Sequence, residues 1–185
     1  MTNETIAIGI DGVLGFNLKT HTDSRGGLTE FFRGYWQSEF QPLQWSIATS
    51  NRNVLRGMHV HLWRYDYLFV SSGEMKLGLC DVRSESPTFM TSWLGSVNFN
   101  QPQVWLIPPG VAHGFYTPES CTYIVGISTY WSMEDEFGCC WNDPKLGLSW
   151  GVNMPELSSR DTNAGSLAQL VNEIRGLESA FMKTR

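Results

Sequence analysis

Short runs of apolar and aromatic residues follow one another along most of the chain, and turn residues separate them. Four clear runs are Asp66–Ser71, Met75–Asp81, Gln103–Ile107 and Thr122–Ser128. Ser-Gly, Pro-Gly, Asn-Gln-Pro and Pro-Glu-Ser sequences lie beside them. Short strands at such spacing are typical of a β-sandwich or a β-barrel. The pattern therefore predicts an all-β fold over about residues 5–150.

The C-terminal segment follows a different period. Its apolar residues recur every three or four positions: Leu167, Leu170, Val171, Ile174, Leu177 and Phe181. This spacing predicts an α-helix over about residues 164–183, with one apolar stripe that packs on the outside of the barrel. No repeat or low-complexity linker divides the chain, so we expect residues 1–185 to form one domain.

Charge and cysteine content narrow the classes of partner and the compartment. The formal net charge of the 185 residues is −5, which is unfavourable for binding a nucleic-acid backbone over a broad surface. No apolar run is long enough to span a bilayer, so no membrane partner is expected. The four cysteines, at 80, 121, 139 and 140, lack C-x-x-C spacing. We interpret them as reduced thiols in a cytoplasmic protein.

Three of the four histidines lie in two turn-rich segments. His59 and His61 are two residues apart, so on a strand they point to the same side. Asp66 follows, and His113 ends the later sequence Pro-Pro-Gly-Val-Ala-His. This spacing resembles the two cupin motifs, which implies a jelly-roll β-barrel (a double-stranded β-helix) with the C-terminal α-helix outside it. We expect the imidazoles of His59 and His113 to converge inside this barrel, within reach of Asp161.

A larger set of segments is similar to one cupin family, the dTDP-4-dehydrorhamnose 3,5-epimerases. The matching segments run in family order: Asp23–Gly27 with Glu30, Val54–His59, Gly73–Glu74, Asp81–Arg83, Ser86–Phe89, Ile107–Phe115, Trp141–Pro144, Leu148–Trp150 and Leu157–Asp161. The resemblance implies proton exchange beside the ketone of a nucleotide-linked 4-keto sugar. Such a site needs a base, a stabiliser for the enolate and an acid on the opposite face. The resemblance also implies a homodimer.

The resemblance assigns roles to residues of this chain. His59 matches the catalytic base, and Asp161 matches the carboxylate that orients it. The positions that match substrate-binding residues are Arg25, Glu30, Arg56, His113, Trp131 and Arg160. Among these, Arg25 and Arg56 would hold the phosphates, since forked donors suit a diphosphate.

The chain departs from the family inside the expected pocket. His61 stands where the family has glutamine, Asp66 where it has lysine, and Val125 where it has the tyrosine that serves as acid. Tyr123, two residues earlier on the same strand face, and Tyr130 are the candidate replacements for that acid. These losses favour reaction at a single centre over the full 3,5 reaction.

The substitutions at 61 and 66 leave two interpretations open. A divalent transition metal would find four ligands in His59, His61, Asp66 and His113, and it would replace the lost lysine as a Lewis acid. Otherwise His61 and Asp66 form an ion pair in a site without a cofactor. The main hypothesis is therefore an epimerase of a nucleotide-linked 4-keto-6-deoxyhexose that needs no cofactor. The alternatives are a metal-dependent cupin enzyme and a non-catalytic binder of nucleotide sugars.

Overall fold

Short β-strands are the main regular structure of the molecule. The computed structural model describes residues 4–36 and 40–183, the last six of them as backbone. In this part of the chain the strands are β1 Thr5–Ile6, β2 Leu14–Asn17, β3 Thr20–Asp23, β4 Gly26–Thr29, β5 Gln44–Ser50, β6 Val54–Val60, β7 Asp66–Ser72, β8 Glu74–Asp81, β9 Ser92–Asn98, β10 Gln103–Ile107, β11 Val111–Thr117, β12 Cys121–Ile127 and β13 Phe137–Gly138. The α-helices are α1 Ser159–Thr162 and α2 Leu167–Lys183.

Two antiparallel sheets form the body of the barrel. One has six strands in the order β1-β2-β10-β7-β12-β5, and the other has five in the order β13-β6-β11-β8-β9. Strands β3 and β4 form a separate two-stranded sheet. The four strands that the apolar runs predicted agree with β7, β8, β10 and β12 to within one residue at each end. The predicted all-β barrel of the jelly-roll type is therefore confirmed.

Alternation along the strands divides each sheet into an inner and an outer face. On β7, Leu68 and Val70 join the cluster between the two sheets, while Tyr67 and Phe69 join an aromatic cluster on the outer face. Asp66 shares the inner face with Leu68, because it lies two residues away. A carboxylate therefore points into the space between the two sheets.

Helix α2 packs against the outer face of the five-stranded sheet, as predicted. Leu167, Leu170 and Ile174 are buried together with Leu55 and Val60 of β6. The helix begins three residues later than the expected start at 164. Leu177, which the stripe included, is 39% exposed, and the side chain of Phe181 lies outside the described residues.

A bulge in β6 decides which way His59 faces. Leu55 and Met58 both lie in the outer cluster, although they are three residues apart. The register with β11 shifts here, since Arg56 is opposite Phe115 and His59 is opposite His113. Gly57 has φ +122°, and a Cβ at this position would lie 2.7 Å from the carbonyl oxygen of His113. Glycine at 57 thus permits the phase change that turns His59 inward.

Two further features concern the cysteines and the helices. All four cysteines are free thiols, and burial raises the pKa of Cys121 to about 11. Cys139 and Cys140 follow β13 and do not lie on a strand. Across residues 4–36 and 40–183, none of the helices has the length and apolar character that crossing a membrane requires.

Candidate active site

His59 and Asp161 meet at the inner face of β6. His59 Nε2 lies 2.6 Å from Asp161 Oδ1, although the residues are 102 positions apart. Asp161 sits in the one-turn helix α1, where its backbone N–H donates to the capping hydroxyl of Ser158. A second contact joins Asp161 Oδ2 to the backbone N–H of Gly57 at 3.5 Å. The bulge and the cap therefore hold the carboxylate against the imidazole.

The protonation states of this pair leave one ring nitrogen of His59 available. Burial favours a raised pKa for Asp161, but the hydrogen bond and the charge of His59 outweigh it and hold the pKa below 3.8. The ionised carboxylate accepts, so the hydrogen of a neutral His59 ring lies on Nε2. Nδ1 makes no hydrogen bond to any residue that the structure describes. A lone pair is therefore free on the nitrogen that a substrate would meet.

His59 lies at the wall of a cavity of about 190 Å³ between the two sheets. Polar and apolar residues both line this cavity. The lining residues are His59, His61, Arg64, Asp66, Leu68, Ile107, His113, Phe115, Val125, Ile127, Trp131 and Glu136. Histidines 59, 61 and 113 thus converge inside the barrel, as the resemblance to the cupin motifs implied.

Asp66 lies between two buried histidines. Its Oδ2 is 3.2 Å from His113 Nε2 and 3.4 Å from His61 Nε2. Burial raises the pKa of Asp66 and lowers the pKa of His113 well below 6.5. Both shifts have the same cause, since burial disfavours charge on either group.

His61, Asp66 and His113 are also the three residues whose geometry suits a metal ion. One ligand atom of each lies within 4.8 Å of the others. His59, the fourth predicted ligand, lies outside this group and binds Asp161 instead. The guanidinium of Arg64 already contacts two of the three, since Nη2 lies 2.9 Å from His61 Nε2 and Nε donates to Asp66 Oδ1 at 3.2 Å. Arg64 therefore supplies a cation where a metal would bind.

Two acidic residues before β13 complete this polar side of the site. Glu136 accepts from Arg64 at 2.9 Å and from Arg160 at 2.6 Å. Burial favours a raised pKa for Glu136, but the hydrogen bond of Arg160 and the charge of His61 hold it below 4.5. The carbonyl oxygen of Asp135 accepts from His61 Nδ1 at 2.6 Å. Arg160, predicted to bind substrate, thus orients Glu136 at the rim.

Sequence reasoning missed Arg64, Asp135 and Glu136. Arg64 and Glu136 are 72 residues apart and belong to no motif that the chain shares with the family. The only local sign was an arginine between His61 and Asp66, and its side chain could equally have pointed to solvent.

The predicted phosphate-binding residues lie away from the cavity lining. Arg56 bridges the sheets, because its Nε donates to Ser50 Oγ of β5 at 2.9 Å. The side chain of Arg25 is 87% exposed on the β3–β4 hairpin and pairs with Asp23. Glu30 pairs with Arg33 beyond the end of the same hairpin. Within one chain, these residues do not gather around His59.

The two tyrosine candidates differ sharply in their surroundings. Tyr123 is 3% exposed in the inner core and packs against Phe115, but it does not line the cavity. Val125, on the same face of β12, lines the cavity in its place. Tyr130 is 72% exposed and precedes Trp131, whose ring lies at the cavity.

Comparison with known proteins places this site in a family. Residues 7–169 match the family model described as dTDP-4-dehydrorhamnose 3,5-epimerase. The epimerase of that name from Salmonella typhimurium is 35% identical over 180 residues, covering 89% of this chain and 95% of the relative. A Legionella pneumophila epimerase in complex with dTDP-4-keto-L-rhamnose superposes with a TM-score of 0.86 at 26% identity, covering 93% and 96% of the two chains. A 3'-monoepimerase from Streptomyces bikiniensis in complex with dTDP-quinovose gives 0.84 at 27% identity, covering 96% and 95%.

Proposed function

Because the chain belongs to the dTDP-4-dehydrorhamnose 3,5-epimerase family, we propose that it epimerises a dTDP-linked 4-keto-6-deoxyhexose. The observation that carries this proposal is the His59–Asp161 pair, whose imidazole lies at the wall of a cavity between the two sheets. An oriented imidazole with a free Nδ1 is the base that such a reaction requires. The apolar residues of the cavity wall suit the sugar ring and its methyl group, and they keep bulk water from the carbanionic intermediate.

The reaction would proceed by proton removal and return at one carbon. His59 Nδ1 takes the proton from the carbon beside the ketone, and the electron pair of the broken C–H bond forms a C=C bond. The carbonyl π pair moves onto oxygen as an enolate. Tyr130, beside the cavity-lining Trp131, is the proposed source of the proton that returns to the opposite face. Asp161 holds the imidazolium that forms meanwhile.

We further propose that the reaction takes place at C3 alone. Val125 presents an apolar side chain where the resemblance places the acid of the two-centre enzymes. Relatives of this chain include proteins from Streptomyces named dTDP-4-dehydro-6-deoxyglucose 3-epimerase, 28% identical over 178 residues. One base and one acid suffice for a single centre.

Solvent exchange tests this function directly. In D₂O, the purified protein should place one deuteron at C3 of dTDP-4-keto-6-deoxyglucose and none at C5, which NMR of the recovered sugar resolves. Tyr130→Phe should slow the exchange more than Tyr123→Phe does. Absence of label at both carbons would contradict the epimerase function, whereas label at both would contradict only the single-centre part.

The exposed β3–β4 hairpin supports a homodimer with shared sites. It carries Arg25 away from the cavity of its own chain, and Leu28 beside it is exposed. Ile47 and Trp45 on β5, the edge strand of the six-stranded sheet, are also exposed. An apolar edge next to an unsupported hairpin suits a second copy of the same chain. We propose that Arg25 and Glu30 of one chain bind the nucleotide at the site of the other.

Mixed dimers distinguish a site formed by two chains from a site formed by one chain. Arg25→Ala should weaken dTDP binding about tenfold, since a charge-assisted contact to phosphate is lost. When Arg25→Ala and His59→Asn chains are combined, each mixed dimer has one site without either lesion. Exchange activity should therefore exceed that of both parents. If Arg25 serves its own chain, no site is free of both lesions and activity should not recover.

A metal-dependent reaction is the second candidate, because His61, Asp66 and His113 come within ligand distance of one another. The contacts of Arg64 favour a site that needs no metal, since its donors engage His61 Nε2 and Asp66 Oδ1. A metal would have to displace a buried guanidinium from these two ligands. We therefore propose a reaction without a metal cofactor.

A further inference from the structure

Arg64 is a buried cation, and only two of its three guanidinium nitrogens bind other described residues. Its side chain is 6% exposed in the segment between β6 and β7, and it lines the cavity. Nε and Nη2 are held by Asp66, Glu136 and His61. Nη1 is buried and has no hydrogen-bond partner among the residues that the structure describes.

An unpaired donor on a buried guanidinium indicates an acceptor that arrives with a ligand. Leaving a buried charged donor unsatisfied costs more than the net value of a typical hydrogen bond, so an oxygen is expected there. The cavity that Arg64 lines also has Leu68, Ile107, Val125 and Ile127 in its wall, and their side chains offer no acceptor. An oxygen carried by the molecule that fills the cavity would satisfy Nη1.

The charges around Arg64 favour an acceptor that becomes negative. Glu136 is ionised and is shared between Arg64 and Arg160, so its charge offsets only one of the two cations. Nη2 also lies 2.9 Å from His61 Nε2. Two guanidinium groups thus surround one ionised carboxylate, and the buried cation of Arg64 acts strongly on a developing anion.

We propose that Arg64 Nη1 binds the C4 keto oxygen of the sugar and stabilises the enolate that forms when His59 removes the proton. This inference rests on the epimerase function proposed above. It identifies the cation that replaces the family lysine, whose position Asp66 occupies. The guanidinium is held by two carboxyl groups before the substrate arrives, so it need not reorganise during the reaction.

Arg64→Ala should lower the rate of deuterium incorporation into dTDP-4-keto-6-deoxyglucose by about 10²- to 10³-fold, as loss of an oxyanion donor does elsewhere. The Kd for dTDP, which lacks the keto sugar, should change less than threefold. Added guanidinium at millimolar concentration should restore part of the rate by filling the space left by the side chain. Arg52→Ala is the matched control, because Arg52 forms an exposed ion pair with Glu119.

A second variant covers the case in which Arg64→Ala does not fold. Arg64→Gln combined with Asp66→Asn removes the cation together with a partner, and it should show the same loss of exchange. Exchange at the wild-type rate in either folded variant would overturn the role of Arg64 and leave the epimerase function standing. Stoichiometric transition metal in active wild-type protein, lost in His61→Ala, would also overturn it. A wild-type protein without exchange would overturn both proposals.

Discussion

His59→Asn should reduce deuterium exchange into dTDP-4-keto-6-deoxyglucose by about 10³-fold or more, at the upper part of the range for a general base. Asparagine has no lone pair of comparable basicity to receive the proton from carbon. Its amide can still bond Asp161, so the pocket should keep its shape. The loss should therefore appear in kcat, while the Kd for dTDP should stay within about threefold of the wild type.

His21→Asn is the matched control for this change. His21 is exposed on β3, and it is the one histidine that does not line the cavity. The control should exchange at the wild-type rate. A His59→Asn variant that still exchanges within tenfold of the wild type would show that another group removes the proton. Because no metal is invoked in that step, the comparison should give the same result after dialysis against a chelator.

The inward convergence of the histidines could be predicted from local rules. Strand periodicity places His59 and His61 on one face, and the later motif places His113 on a neighbouring strand. The expectation that His59 and His113 would meet within reach of Asp161 agrees with the observed contact of 2.6 Å between His59 and Asp161. The spacing did not reveal how β6 achieves this, because the phase change at Gly57 depends on close contact with β11.

The choice between a metal site and a metal-free site shows where local rules stop. Spacing alone suggested four ligands, since it records which side chains share a face but not what each of them already binds. His59 is engaged by Asp161, and Arg64 engages His61 and Asp66. Both contacts depend on the directions of side chains in irregular segments. These directions cannot be predicted from sequence, because irregular segments have no repeating pattern of hydrophobic positions.

The position of Arg25 has a different cause. A hairpin that forms its own two-stranded sheet can take any orientation toward the barrel as far as its sequence is concerned. The motif around Arg25 identifies a binding residue by resemblance, but only the fold shows that its side chain is 87% exposed and does not line the cavity that holds His59 of the same chain. Arg25 is therefore proposed to bind the nucleotide at the site of the partner chain, which the mixed dimers test.

Asp161→Asn should lower the exchange rate by about 10³-fold, a loss of the size that follows when a catalytic histidine is held in the wrong tautomer. Gly57 N–H donates to Oδ2 of the carboxylate, so the amide oxygen of an asparagine is the group that would remain there. The amide NH₂ would then face His59 Nε2 and donate to it. The ring hydrogen would move to Nδ1, which is the nitrogen that must accept the proton from carbon.

The tautomer change separates this effect from a loss of structure. Nitrogen NMR of His59 should report hydrogen on Nε2 in the wild type and on Nδ1 in Asp161→Asn, at pH 7 in both. The Asp161 carboxylate is ionised at pH 7 because its folded pKa lies below 3.8. The contribution of the ionised carboxylate to stability is therefore present at every pH above its ordinary pKa of 3.8 and is lost as the pH falls through the lowered pKa. Asp143→Asn is the control, since Asp143 caps a turn and accepts from Leu167 N–H away from the cavity. An Asp161→Asn protein that keeps the wild-type tautomer, or that exchanges within threefold of the wild-type rate, would mean that the carboxylate does not direct the base.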